Sequence, residues 1–116
     1  MPVIRRLDVP SSGESGLIRH TMADEMLGAK EVTVFEVTVA PGAKVPLHTH
    51  PGHEDCMVII EGEFEWILGD EVGTLDAGNS IIAPDGVKHS LINNTNVPAK
   101  VMAIFPTTNV QRKVLE

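Results

Sequence analysis

Histidine side chains form the clearest group of residues in this sequence that could do chemistry. Three of the five histidines, His48, His50 and His53, lie close together, whereas His20 and His89 stand alone. His48 and His50 are two positions apart, which places both imidazoles on one face if this segment is a β-strand. Two neutral imidazoles on one face suit iron, zinc, nickel, manganese or copper. The pair therefore predicts a site for one divalent metal ion, with two solvent-facing histidines as the alternative interpretation.

Two blocks of fixed spacing surround these histidines. The first block, residues 42–62, carries Gly42, His48, His50 and Gly62. The second block, residues 78–93, carries Gly78, Pro84, Gly86, His89 and Asn93. Proline and glycine so close together predict a tight turn that directs His89 and its strand toward the site. We interpret Asn93 as structural, with its side-chain amide tying a turn.

These two blocks resemble the two motifs of the cupin superfamily. The second block matches its motif at every specified position, and the first matches at its two histidines and two glycines. The resemblance implies an all-β fold, the antiparallel jelly-roll barrel or double-stranded β-helix, with a metal ion inside the mouth of the barrel. It implies His48, His50 and His89 as ligands, together with one acidic residue. Residues 1–116 are then one cupin domain.

The acidic ligand is the point at which this sequence departs from the family pattern. Counting back from Gly62 with the family's spacing reaches Asp55, where the family has glutamate, while Glu54 is one position too early. Asp55 is favoured by register, Glu54 could enter through a β-bulge, and His53 is a third candidate. A site with three histidines and no further protein ligand is the fourth option. Whichever carboxylate is present, Asp55 or Glu54, could also act as a general base.

Alternation of apolar and polar residues predicts short strands along most of the chain. The predicted strands are residues 31–40, 44–50, 55–61, 64–68, 72–75, 80–83, 88–93 and 99–105. Residues 21–27 form either a short helix, with Thr21 as its N-cap and Asp24 at the third position, or a loop. Residues 1–16 are predicted to form an N-terminal arm, and residues 107–116 a polar tail.

Composition narrows the range of partners. The formal net charge of −7 disfavours nucleic acid and anionic membranes, and no apolar stretch approaches the length of a membrane span. The lone Cys56 cannot form an intramolecular disulfide, so a cytoplasmic protein is expected. Strand 31–40 is apolar on both phases, which predicts a homodimer that buries its outer face, although a sandwich core would give the same pattern.

Three functions are compatible with these residues. The first is a metal-dependent enzyme that acts on a small organic molecule, most plausibly a dioxygenase-like oxidoreductase, with a lyase, decarboxylase or isomerase as a variant. The second is a non-catalytic module that binds or senses a metal or small ligand. The third is a seed-storage-like structural protein, which the metal motif argues against. The chain has no tyrosine, which disfavours the epimerase branch that the resemblance would otherwise include. The alternation of side chains along the predicted strands also predicts a cavity wall, formed by Phe35, Met57, Trp66, Ile82, Leu91 and Met102.

Overall fold

Two antiparallel β-sheets make up almost all of the structure, a computed structural model that describes residues 2–116. The six-stranded sheet has the order β1-β2-β3-β10-β5-β8, and the five-stranded sheet the order β11-β4-β9-β6-β7. In chain order the strands are β1 (Ser11–Glu14), β2 (Leu17–Ala23), β3 (Thr33–Val39), β4 (Lys44–Thr49), β5 (Asp55–Glu61), β6 (Glu63–Leu68), β7 (Glu71–Asp76), β8 (Ser80–Ala83), β9 (His89–Ile92), β10 (Ala99–Phe105) and β11 (Lys113–Val114). The predicted antiparallel all-β fold is confirmed.

The core lies between the two sheets, and the period-two patterns of their strands create it. In β5, alternate residues from Asp55 to Ile59 are buried, and in β10 every second residue from Ala99 to Phe105 is buried. Phe64 and Leu91 of the five-stranded sheet meet this face from the other side. Burying two facing apolar sheet surfaces is the usual source of stability in such a sandwich.

All eight predicted strands are present, with ends that shift by at most two residues at each side. Of the two alternatives for residues 21–27, the helix does not form, because Thr21 continues β2 and only a turn follows it. Asp24 stabilises that turn by accepting a hydrogen bond from the Leu27 backbone N–H at 2.8 Å. Within residues 2–116, no helix is long and apolar enough to cross a membrane.

A β-bulge in β4 decides which side chains of this strand face the interior. Val45 pairs with Leu91, but His48 pairs with His89, so β4 has one residue more than β9 in this interval. The extra residue reverses the phase of the strand. Val45 and His48 therefore both face the interior, although strict alternation would place them on opposite faces.

The C-terminal segment, predicted as a polar tail, lies along the edge of the five-stranded sheet. Lys113 pairs with Thr49, and Val114 pairs with His48. Asn93, predicted to be structural, is fully buried and donates through its side-chain amide to the carbonyls of Val39 and Val97. The C-terminal segment thus lies at the end of β4 that carries the histidines, whereas Asn93 ties the opposite end of β9 to β3.

Gly62 and Gly42 provide a matched pair for testing the first block. Both have left-handed backbone, with φ of 76° and 79° respectively, so alanine costs about 1–2 kcal/mol at either position. At Gly62 a Cβ would also lie 2.9 Å from the Cβ of Ala99, whereas at Gly42 nothing lies within 4 Å. We expect Gly62→Ala to lower the free energy of unfolding by at least about 1 kcal/mol more than Gly42→Ala, measured by urea denaturation. Equal losses would contradict this expectation.

Candidate metal centre

Four side chains that can bind a metal converge at one end of the barrel. His48 and His89 face each other across β4 and β9, His50 follows the end of β4, and Asp55 begins β5 in the opposite sheet. One ligand atom from each lies within 4.8 Å of all the others. All four residues are only 2–4% exposed. The two sheets thus contribute to one buried cluster, with the three histidines on one side and the carboxylate on the other.

Backbone carbonyls determine which ring nitrogen of each histidine carries the proton. The Nδ1 of His48 lies 2.6 Å from the carbonyl of Pro46, and the Nδ1 of His89 lies 3.0 Å from that of Val87. The Nδ1 of His50 lies 2.7 Å from the carbonyl of Gln111. A carbonyl oxygen only accepts, so each Nδ1–H must donate, and the neutral ring then presents the lone pair of Nε2. Such outer contacts are the usual way of orienting histidine ligands.

The lone pairs of the cluster face one another, which is the arrangement that a cation would stabilise. The Nε2 atoms of His48 and His50 are 3.1 Å apart, and Oδ2 of Asp55 lies 3.1 Å from Nε2 of His89. With the proton of each ring on Nδ1, none of these close pairs has a donor. The Oδ1 of Asp55 is also buried, with no hydrogen-bond partner among residues 2–116. A cation or an extra proton must balance these atoms, and the donor set fits a divalent transition metal.

The ionisation of His48 and Asp55 suits the binding of a metal ion. Burial lowers the pKa of His48 to about 4, outweighing its hydrogen bond to Pro46. Burial acts to raise the pKa of Asp55, but the neighbouring imidazoles of His50 and His89 more than offset this and leave it below its usual value. At neutral pH the site therefore offers a neutral imidazole at His48 and a carboxylate at Asp55, which are the ligand forms that bind metals.

The structure places the other two candidate ligands elsewhere. The side chain of Glu54 is exposed and does not belong to the cluster. His53 is buried, but its Nε2 accepts a hydrogen bond from the Gln111 backbone N–H at 3.0 Å, and its Nδ1 donates to the carbonyl of Glu54. Both ring nitrogens of His53 are thus engaged, so its ring has no lone pair left for a metal.

A cavity of about 620 Å³ opens onto three of the four clustered residues, His48, His50 and Asp55. Its wall is mainly apolar and is formed by Leu17, Phe35, Val37, Val45, Met57, Leu91, Val101, Ala103, Phe105 and Val110. The prediction is correct for Phe35, Met57 and Leu91. The prediction is wrong for Trp66, Ile82 and Met102.

Each error in the predicted wall has a geometric cause. In β8 and β10 the inward phase differs by one residue from the predicted one, so Ile82 is 55% exposed and Val101 and Ala103 take the place of Met102. Trp66 packs against the core, but its indole lies over Gly73, where a Cβ would be 2.6 Å from the ring. A shift of one residue turns a strand side chain to the other face, so these positions depend on pairing that the sequence leaves open.

Sequence reasoning missed the residues that the chain termini bring to this cavity. Ser12, Glu14 and Arg19 come from β1 and β2, and Val110 and Arg112 from the C-terminal segment. The Arg19 guanidinium lies 4.5 Å above the ring of Phe35. No local pattern marks these residues, since both segments read as polar or flexible.

The pKa of His48 makes the stability of the metal-free protein depend on pH. The unfolded chain takes up a proton near the usual pKa of 6.5, whereas folded His48 does so only at about 4. Stability should therefore fall as pH decreases through this window, by up to about 3 kcal/mol at about 1.36 kcal/mol per pKa unit. Asp55 acts in a lower window, because its pKa lies below the usual 3.8. Urea unfolding of the metal-free protein against pH measures the effect, and His48→Gln should reduce the slope; an unchanged slope would contradict the assignment.

The sequence of this chain is similar to those of known proteins that share a family model. The family model described as "Cupin domain" matches residues 35–105, which include the histidine cluster. The tetracenomycin polyketide synthase protein TcmJ of Streptomyces glaucescens is 28% identical over 93 residues, which cover 80% of this chain. This chain spans 62% of the length of that relative.

Two solved structures share the fold over the whole chain. A protein with a double-stranded β-helix domain from Klebsiella pneumoniae has a TM-score of 0.82 and 22% identity, covering 100% of this chain and 98% of that one. The polyketide cyclase RemF of Streptomyces resistomycificus has a TM-score of 0.80 and 22% identity, covering 100% of this chain and 87% of that one. At this identity the likeness shows the fold, and it confirms the predicted double-stranded β-helix.

Proposed function

This chain belongs to the cupin family, and from that premise we propose that it is a metal-dependent enzyme acting on an apolar, oxygen-bearing organic molecule. The observation that carries the proposal is the buried cluster of His48, His50, Asp55 and His89 at the inner end of an apolar cavity. Four protein ligands, with a cavity beside them, leave room for a substrate atom to approach the metal.

The cavity supports the proposed class of substrate by its size and chemistry. A volume of about 620 Å³ lies within the roughly 300–1,000 Å³ that is typical of sites for drug-sized ligands. Phe35 and Phe105 lie edge to face, with centroids 5.7 Å apart, and can pack against a flat ring system. The ring of Phe105 also lies 4.8 Å from that of His50, so a substrate held there would reach the cluster.

The reaction class that fits best is cyclisation or isomerisation of a keto or enol compound. A bound divalent ion would supply Lewis acidity, which polarises a carbonyl or enol oxygen. The residues of the chain would hold and orient the substrate: the apolar wall excludes water, and Arg19 and Arg112 provide positive charge against an enolate. The polyketide cyclase RemF and the polyketide synthase protein TcmJ support this class as relatives of similar fold or sequence.

A dioxygenase-like oxidoreductase is the second candidate, because an apolar cavity beside a histidine-rich centre admits dioxygen as well as an organic substrate. The two candidates differ in their products. Cyclisation or isomerisation leaves the mass of the substrate unchanged or removes water, whereas dioxygenation adds oxygen atoms and consumes dioxygen. The identity of the metal also separates them, since iron favours the second reaction and zinc or nickel the first.

The test begins with elemental analysis of the protein purified without a histidine tag. Protein reconstituted with that metal is then incubated with aromatic polyketone substrates, and products are followed by mass spectrometry together with an oxygen electrode. We expect conversion without oxygen uptake, and none by the His89→Ala variant. Oxygen uptake coupled to product would favour the second candidate. Tight binding of these compounds without turnover would overturn the enzyme proposal in favour of a binding or sensor module.

A further inference from the structure

We infer that His53 is a positioning residue of the metal centre, which acts on the ligand His50 through the backbone of Gln111. The inference rests on the proposed function, because it takes His50 as a ligand. It gives a role to His53, which lies close to His48 and His50 in the sequence, and to the C-terminal segment.

His53 is placed to hold a peptide group rather than a metal. It is 9% exposed, and its ring stacks beside that of His50, with centroids 5.2 Å apart and an interplanar angle of 29°. Its Nε2 lies 3.0 Å from the Gln111 backbone nitrogen. A backbone N–H only donates, so this Nε2 must accept, and the ring proton lies on Nδ1, where it reaches the carbonyl of Glu54 at 3.0 Å.

Gln111 connects the two histidines through its own backbone. Its N–H donates to His53, and its carbonyl accepts the Nδ1–H of His50 at 2.7 Å. Fixing the N–H limits how far residue 111 can turn, and this holds the carbonyl against His50. That carbonyl keeps the proton of His50 on Nδ1 and the lone pair of Nε2 directed at the cluster.

The rest of the segment is anchored independently of His53. Its strand β11 pairs with β4, and the Leu115 backbone N–H donates to the carbonyl of Leu47 at 2.9 Å. The Glu116 carboxylate accepts from the Leu47 backbone N–H and from Lys44. Loss of the His53 contact should therefore release the Gln111 backbone locally while the segment stays on the sheet.

The test compares substitutions at His53 by the binding of Co²⁺ to the metal-stripped full-length chain. His53→Leu removes the acceptor, whereas His53→Gln offers an amide oxygen in its place. We expect His53→Leu to weaken Co²⁺ binding by about 10–100-fold and to alter the visible absorption of the bound Co²⁺, with partial recovery in His53→Gln. The matched control is His20→Leu, which lies outside the cluster and has its ring hydrogen-bonded to Arg6, and it should change neither.

Gln111→Pro tests the same contact from the other side and decides the matter if His53→Leu fails to fold. Proline removes the N–H of residue 111 but keeps its carbonyl. We expect the same loss of affinity, and no further loss when the two substitutions are combined. If the unsubstituted chain binds Co²⁺ and both variants keep its affinity and spectrum, the inference is overturned while the metal centre stands. If the unsubstituted chain binds no Co²⁺, the proposed centre itself fails, and the inference with it.

Discussion

Replacing His48 or His89 with alanine is expected to abolish metal binding while the chain stays folded. Each substitution removes one of three imidazole lone pairs, so the affinity should fall by more than the roughly 100-fold that changes around a ligand cost. Folding should survive, because neither residue belongs to the apolar core formed around Phe64 and Ile59. In the metal-free protein the substitution also removes one of the lone pairs that oppose each other at 3.1 Å.

The measurement is metal content per chain, determined on protein without a histidine tag, together with circular dichroism and thermal unfolding. His20→Ala is the control for the loss of a histidine outside the cluster, and it should keep the full metal content. Unfolding of the His48 or His89 variants, with metal content intact in whatever protein remains folded, would refute their assignment as ligands.

Asp55→Asn is expected to weaken metal binding while the metal-free protein keeps its fold. The carboxylate is 3% exposed, and its Oδ1 has no hydrogen-bond partner in the part of the chain that the structure describes. Its Oδ2 faces Nε2 of His89 at 3.1 Å and of His50 at 3.4 Å. Asparagine has nearly the same shape and can donate to an imidazole lone pair, which satisfies a buried acceptor. It carries no charge, however, and so contributes far less to the binding of a cation.

A loss of metal binding in a chain that stays folded distinguishes a metal ligand from a structural residue. A loss of about 100-fold in affinity removes about 2.7 kcal/mol of metal-dependent stabilisation under saturating conditions. Denaturation with and without added metal measures both effects in the same protein. Glu54→Gln is the matched control, since it makes the same chemical change one residue away on an exposed side chain, and it should leave both quantities unchanged. If Glu54→Gln weakened metal binding and Asp55→Asn did not, the fourth ligand would be Glu54.

The strands could be predicted from the sequence because their signal is local. Segments such as 55–61 and 99–105 alternate in hydrophobicity, and the structure reproduces both ranges as β5 and β10. β1 and β11 were missed, because β1 is short, polar and interrupted by glycine and β11 has only two residues. β2 was missed because its end overlaps the segment considered as a helix, and its pairing with β3 makes it a strand. Residues 21–27 were a candidate for either a helix or a loop because Thr21 and Asp24 have the spacing of a helix cap, and they form the end of β2 and a turn.

The candidate site was likewise predicted in part from local sequence signals. The residue types and spacing of His48, His50 and His89 are visible in the sequence, and the two-block resemblance to cupins leads to Asp55 as the first candidate for the acidic position. The sequence does not decide which of Asp55, Glu54 and His53 enters the site, because strand parity allows either face of the strand to point inward. Pairing of β5 with β8 and β10 turns Asp55 inward, and the bulge in β4 turns the histidines inward.

The sequence by itself determined an antiparallel all-β fold and the histidines around which a metal centre could form, because strand periodicity and motif spacing are properties of short segments. Only the tertiary structure decided the register of each strand, the exclusion of His53 from the cluster and the place of Gln111 beside His50. Gln111 and His50 are separated by 61 residues, and no local pattern connects them. Their contact exists because the folded sheets close on each other and bring the end of the chain back to the site.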